Sequence, residues 1–232
     1  VLCAADRVLG LSEEKVLGVF EELGLCLEAV FIRDPELVEC YSVEVVSVQA
    51  YDLHWLSLGA ADEGERRRAV EHVAESMRLA AELGAGYVVT VPGYGEHPPG
   101  AAEVCRRSYL ELRSLTAELG VTVLIEPLSP KRTTLLPSLP RVAELCRELG
   151  EGFGVLADTM HVLDSGGSPE EIREVEEVME VHLRGAGDTP PGPGEIDFRR
   201  VLRAGAVPCI EYSKGSVEEL RGAVSYLRSV LF

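Results

Sequence analysis

The chain of 232 residues contains no asparagine, and Gln49 is its only glutamine. Lysine is nearly as scarce: Lys15, Lys131 and Lys214 are the only three, among many arginines. Loss of thermolabile amides beside abundant Glu and Arg is a thermophilic pattern, although genomic base composition also replaces Lys by Arg. Positive charge is in deficit, with 22 Lys and Arg against 39 Asp and Glu and a net charge of −17. A surface that neutralises phosphates needs clustered Lys and Arg, which argues against a nucleic-acid partner. The one short basic run, Arg66, Arg67 and Arg68, sits among Glu63, Glu65 and Glu71 and reads as a salt-bridged solvent face. No apolar run is long enough to cross a bilayer and no signal peptide is visible, so no membrane partner is expected and the expected location is cytoplasmic. The six cysteines include no C-x-x-C pair. Buried free thiols are the expectation; a disulfide would fit the setting of hyperthermophilic intracellular proteins.

What is present is a regular alternation. Strand patterns fall at 1–5, 25–30, 43–50, 87–91, 121–126, 153–158, 178–182 and 207–211. Helical patterns fall at 12–24, 62–83, 101–119, 139–149, 169–177, 197–204 and from 216 onward. Counted with the segment 31–42, eight strands alternate with eight helices. Strands alternating with helices predict a parallel sheet covered by helices. With 46% hydrophobic residues and no shift in composition, residues 1–232 read as a single domain, a single (β/α)8 TIM barrel of the α/β class, short but within the range of that fold.

Four of the strands end in a metal-ligating residue. Val121 to Glu126, Phe153 to Asp158, Val178 to His182 and Val207 to Glu211 are apolar runs closed by Glu, Asp, His and Glu. They are spaced by roughly 30 residues, about one βα unit. In a closed parallel barrel the C-terminal strand ends converge on one mouth, where active sites of this fold lie. A carboxylate ending an apolar strand is costly unless it meets a metal or a partner. Three carboxylates and one imidazole would make a hard, oxygen-rich site suited to one divalent cation: Mn²⁺, Mg²⁺, Co²⁺ or Zn²⁺.

At these residues the chain resembles the xylose isomerase-like TIM-barrel superfamily, in particular its sugar-phosphate isomerase/epimerase group. The matching stretches are Leu124-Ile125-Glu126-Pro127-Leu128, Leu156-Ala157-Asp158-Thr159-Met160-His161, Val181-His182-Leu183 and Ile210-Glu211-Tyr212. Pro191 to Asp197 is similar to the family's P-G-x-G-x-I-D loop, and Leu23-Gly24 with Glu28 to its second-strand signature. The resemblance implies that Glu126, Asp158, His182 and Glu211 bind one divalent cation. It implies that His161 contacts a substrate oxygen and that Glu126 and Glu211 are the acid/base pair. The implied activity is isomerisation or epimerisation of a sugar through a metal-stabilised cis-enediolate. Such chemistry takes a proton from the carbon next to a carbonyl. Relatives often form dimers or tetramers, so a homo-oligomer is an expectation as well.

The chain departs from that group in two places. Where ketose 3-epimerases tend to have Asn-Pro-x-Glu, it has Ser129-Pro130-Lys131-Arg132. Where an Asp-Arg pair is common, it has Asp188-Thr189, with Arg184 nearer the strand. These changes point to an anionic substrate, a sugar phosphate or sugar acid, anchored by Lys131, Arg132 or Arg184. The extra ligands of endonuclease IV are missing after the third and fourth strands and before the glycine loop, which argues against a nuclease. Three readings stand beside the isomerase: a metal-dependent sugar-acid dehydratase or lyase, a non-catalytic metal- and sugar-binding barrel, and a metal-dependent phosphoester hydrolase, which needs more than one metal. Gln49 at a strand end and His54 beside Tyr51 and Trp55 are further candidates for substrate contact. Residues 93–97 read as a Gly/Pro turn or a lid over the mouth.

Overall fold

A computed structural model describes residues 1–232. Its strands are β1 (Cys3–Ala5), β2 (Cys26–Ala29), β3 (Val45–Gln49), β4 (Tyr87–Thr90), β5 (Thr122–Ile125), β6 (Phe153–Asp158), β7 (Val178–Leu183) and β8 (Val207–Ile210). Each pairs in parallel with the next, and β1 pairs with β8, which closes the barrel. The protein is therefore a single (β/α)8 TIM barrel.

The helices are α1 (Glu13–Leu23), α2 (Pro35–Glu39), α3 (Glu63–Glu82), α4 (Ala101–Leu119), α5 (Leu139–Leu149), α6 (Thr159–Asp164) and α7 (Val217–Leu231). Local chemistry sets their ends. Asp62 accepts from the Glu65 amide at 2.8 Å to cap α3. Ser216 and Glu219 form a capping box on α7. Gly24 ends α1 with a left-handed φ of 58° that other residues adopt at a cost.

Two expected helices are not α-helical. Residues 169–177 form a short 3-10 turn, Pro169–Glu174, and 197–204 form one turn, Phe198–Arg200. The second is cut short because Asp197 caps its start and Gly205, at φ 92°, already turns the chain. The segment 31–42 holds the short α2, with Asp34 capping it and Pro35 in its first turn. One short helix was not anticipated from the sequence: α6, capped by Asp158 itself. The Arg66–Arg68 run needs a correction as well. Arg66 is only 3% exposed and spans α3 and α4 through Glu63 and Glu111; only Arg67 and Arg68 face solvent.

The core between barrel and helices is one large apolar cluster that includes Phe20, Leu53, Met77, Tyr109, Val142, Phe198 and Leu227. Inside the barrel, side chains two residues apart share a face. Cys26, Ser47, Leu124, Leu156, Glu180 and Cys209 therefore lie one step below Glu28, Gln49, Glu126, Asp158, His182 and Glu211. The upper set forms the floor of the C-terminal mouth.

Candidate metal centre and active site

His182 organises the floor. Its Nε2 lies 2.7 Å from Glu28 Oε2, and both side chains are fully enclosed. A proton on Nε2 donated to Glu28 leaves Nδ1 turned toward the mouth. There Nδ1 faces Glu126 Oε1 at 4.0 Å, Asp158 Oδ2 at 3.9 Å and Glu211 Oε2 at 4.0 Å. It has no hydrogen-bond partner although it is buried. A buried lone pair aimed at three carboxylate oxygens, touching none of them, fits a cation held among them. The donor set, three carboxylates and an imidazole, suits a hard or borderline divalent ion.

The charges of the protein groups alone give the same picture. Burial and the neighbouring Asp158 and Glu211 lift Glu126 to about 8, although His182 pulls the other way. Burial opposes a charge on His182, but Glu28, Glu211 and Glu126 outweigh it and raise the ring to about 10. Asp158 is held near 2: burial opposes its ionisation, and Arg184, His161 and His182 more than offset this. The cluster therefore attracts protons, as it would attract any cation.

Arg184 crosses the site. Its Nε donates to Asp158 Oδ2 at 2.6 Å, and its Nη1 lies 2.8 Å from Glu211 Oε2 and 3.0 Å from Asp188 Oδ1. It is 6% exposed and bound to two of the four expected ligands, a place different from a free anion anchor. His161, in the first turn of α6, donates its backbone N–H to Asp158 Oδ1 at 2.9 Å. Its Nε2 stands 3.7 Å from Glu126 Oε1, and its buried Nδ1 has no partner.

Above the floor is a polar cavity of about 130 Å³. Glu126, Glu211, His161, Arg184, Gln49, His54 and Arg132 all line it. Gln49 also donates to Glu28 Oε1 at 2.5 Å, so it steadies the residue that steadies His182. His54 stacks on Tyr94 with ring centroids 4.9 Å apart, and Tyr51 packs against it at 4.5 Å. Arg132 stands at the rim without an ion pair. Lys131 does not reach the cavity; it is exposed and pairs with Asp164. Residues 93–97 are tied down: the Gly95 amide donates to Arg132 O at 2.8 Å, and the His97 ring meets Ser57 Oγ at 2.8 Å. That segment is an anchored wall of the mouth.

Sequence reasoning missed Arg7. It follows β1, lines the cavity and pairs with Glu211 Oε1 at 3.0 Å. The signal was a charged pair, Asp6-Arg7, at the end of the shortest strand. Asp6 is structural: its Oδ2 accepts from the amides of Val30, Phe31 and Ile32 at 2.7–3.1 Å, tying β1 to the turn after β2. Glu180 was missed as well. Burial and the charge of Glu28 raise it well above the usual carboxylate range, and Ser47 donates to it at 3.0 Å.

Comparison with known proteins agrees with this architecture. A family model described as xylose isomerase-like TIM barrel matches residues 36–204. The chain belongs to the xylose isomerase-like TIM-barrel family. Among solved structures, the apo form of a 3-keto-D-glucoside 4-epimerase from E. coli superposes with a TM-score of 0.85 at 16% identity, covering 99% of this chain and 98% of that one. D-psicose 3-epimerase with D-tagatose, from Clostridium cellulolyticum H10, superposes at 0.84 with 13% identity, covering 99% of each chain. An IolI protein with a bound zinc atom superposes at 0.75 with 16% identity, covering 99% of this chain and 97% of that one. At these identities the likeness is one of fold. No curated protein sequence matches the chain. No helix is long and apolar enough to cross a membrane.

Proposed function

We propose that this xylose isomerase-like barrel is a divalent-metal-dependent sugar epimerase or isomerase that works by removing and returning a proton next to a carbonyl. One observation carries the reading: the buried Nδ1 of His182, free of any partner, faces one oxygen each of Glu126, Asp158 and Glu211 at 3.9–4.0 Å. Those four residues would hold the ion. The sugar epimerases and the zinc-containing protein among its structural neighbours support the assignment.

Bound there, a divalent cation supplies polarisation of a substrate carbonyl and offsets the negative charge that grows as the adjacent carbon loses its proton. The chain's own groups do the rest. Glu126 and Glu211 face the cavity from β5 and β8, so one takes the proton and the other returns it. Their environments differ, which suits two roles: Glu126 is enclosed and raised, whereas Glu211 lies between the guanidinium groups of Arg7 and Arg184. His161 brings a ring nitrogen within reach of a substrate hydroxyl. Tyr51, His54 and Tyr94 give the sugar a flat wall to lie against.

The finer reading is an anionic sugar, a phosphate or an acid. Arg132, the unpaired guanidinium at the rim, is its anchor, with Arg7 and Arg184 adding positive potential deeper in. The deciding experiment is solvent-deuterium incorporation across matched neutral, phosphorylated and carboxylated keto sugars, with Mn²⁺ present. Deuterium next to the carbonyl, in substrate or epimer, supports the reading. A product that has lost water would assign a dehydratase instead, and sugar binding without any exchange would assign a binding protein.

A further inference from the structure

Three cysteines occupy one level of the barrel. Cys3 is the register partner of Cys26 on one side and of Cys209 on the other, and all three are buried. The pair on β1 and β2 is closer than packing requires. Cys3 Sγ and Cys26 Sγ are 2.7 Å apart, inside the contact distance of two non-bonded sulfurs. A bonded pair stands at about 2.05 Å, less than an ångström nearer. Residues paired across neighbouring strands, about 4.8 Å apart, also fall within the Cα separation of about 4.4–6.8 Å that a disulfide spans. Cys209 packs beside the pair and also groups with Glu28, Glu180 and His182, but only Cys3 and Cys26 have their sulfurs in direct contact.

We propose that Cys3 and Cys26 form a disulfide that staples β1 to β2 in the oxidised protein. The oxidant is a small disulfide compound. Two protein S–H bonds and its S–S bond are broken; the Cys3–Cys26 bond and two small thiols form. The protein loses two electrons and two protons, and the small disulfide gains both. Cys3 and Cys26 are 0% and 2% exposed, so the small disulfide reaches them by local opening at the N-terminal end of the barrel. The N-terminal end of the barrel opens as a cavity of about 680 Å³, and Cys3 forms part of its wall beside Val45, Val46 and Val207. Burial then protects the bond once made.

The staple has work to do at that place. β1 has only three residues, with three register partners on β2 and two on β8. Its far end carries Arg7, which reaches Glu211, and β2 carries Glu28, which reaches His182. Asp6 ties the two strands at their C-terminal ends; Cys3 and Cys26 would tie them three residues before Asp6 on β1 and four residues before Val30 on β2. The scarcity of amides belongs to heat-adapted proteins, in some of which intracellular bridges occur.

The test counts thiols and does not depend on catalysis. The folded full chain is incubated with hydroxyethyl disulfide, denatured, alkylated and analysed by mass spectrometry. The six thiols should become four, with a cross-linked peptide holding Cys3 and Cys26, and reductant should restore six. In Cys26→Ala the remaining five should all alkylate. Reduction should lower the melting temperature of the wild type by roughly 5–10 °C and leave that of Cys26→Ala unchanged. Six alkylated thiols, an adduct confined to the exposed Cys40, or a bridge made through Cys209 would each overturn the proposal.

Discussion

Glu28 holds His182 by its Nε2 at 2.7 Å, and that bond decides which nitrogen is left to face the carboxylates. Both residues are fully buried, so the ring has no other way to settle its tautomer. The first prediction follows. Glu28→Gln should weaken divalent-cation binding about 10–100-fold, measured by isothermal titration with Mn²⁺, with the circular dichroism of the fold retained. Affinity within twofold of the wild type would show that Glu28 does not orient the ligand.

Glu126 and Glu211 are proposed both to hold the ion and to move the proton. Glu126→Gln and Glu211→Gln should each reduce solvent-deuterium exchange into substrate by about 10²–10⁴-fold. The tighter discrimination is positional. If one carboxylate serves each face of the carbon, each variant loses exchange of one epimer more than of the other. Equal loss for both epimers would mean that a single residue serves both faces.

Arg132 and Lys131 are sequence neighbours with different surroundings. Arg132 lines the cavity unpaired, whereas Lys131 is bound to Asp164 outside it. Arg132→Ala should raise KM about tenfold or more for a sugar phosphate or acid, the size of a lost charge-assisted hydrogen bond, and leave a neutral analogue unaffected. Lys131→Ala should change neither. A preference of the wild type for the neutral sugar would end the anion assignment.

The pH dependence of stability has a definite sign. Glu126 in the folded chain is raised from 4.5 to about 8, and His182 from 6.5 to about 10. Both bind protons more tightly folded than unfolded, so each contribution is whole below the unfolded value and is lost as pH rises through the folded one. Asp158 acts in the opposite sense between 3.8 and about 2, and His54, His72 and His161, lowered by burial, do so below 6.5. The melting temperature of chelator-treated protein should therefore fall between pH 7 and pH 10. Saturating Mn²⁺ should raise it and flatten the fall, because the ion then carries the positive charge and binds only the folded state. A metal-free melting temperature that climbs over this range would contradict the arrangement.

The four ligand residues were legible in the sequence because two simple rules converge on them. A polar residue closing an apolar strand is expensive, and a parallel barrel brings all such ends to one mouth. The same rules reach Arg7, but β1 is so short that the apolar run before it carries little signal. Arg184 was visible as a cation beyond β7. Its engagement with Asp158 and Glu211 depends on β6 and β8 flanking that strand, which only closure of the barrel reveals. The equal level of Cys3, Cys26 and Cys209 needs the strand register, which no spacing in the chain encodes. The helix after β7 failed for a local reason: Asp197 starts and Gly205 ends a stretch of seven residues, in which a single 3-10 turn forms.

Crystals soaked with Mn²⁺ and measured for anomalous scattering test the central claim most directly. The account predicts one strong peak within about 2.0–2.5 Å of His182 Nδ1 and of one oxygen each from Glu126, Asp158 and Glu211. No peak at that position under saturating Mn²⁺, or an ion held elsewhere while Arg184 keeps those carboxylates to itself, would contradict it.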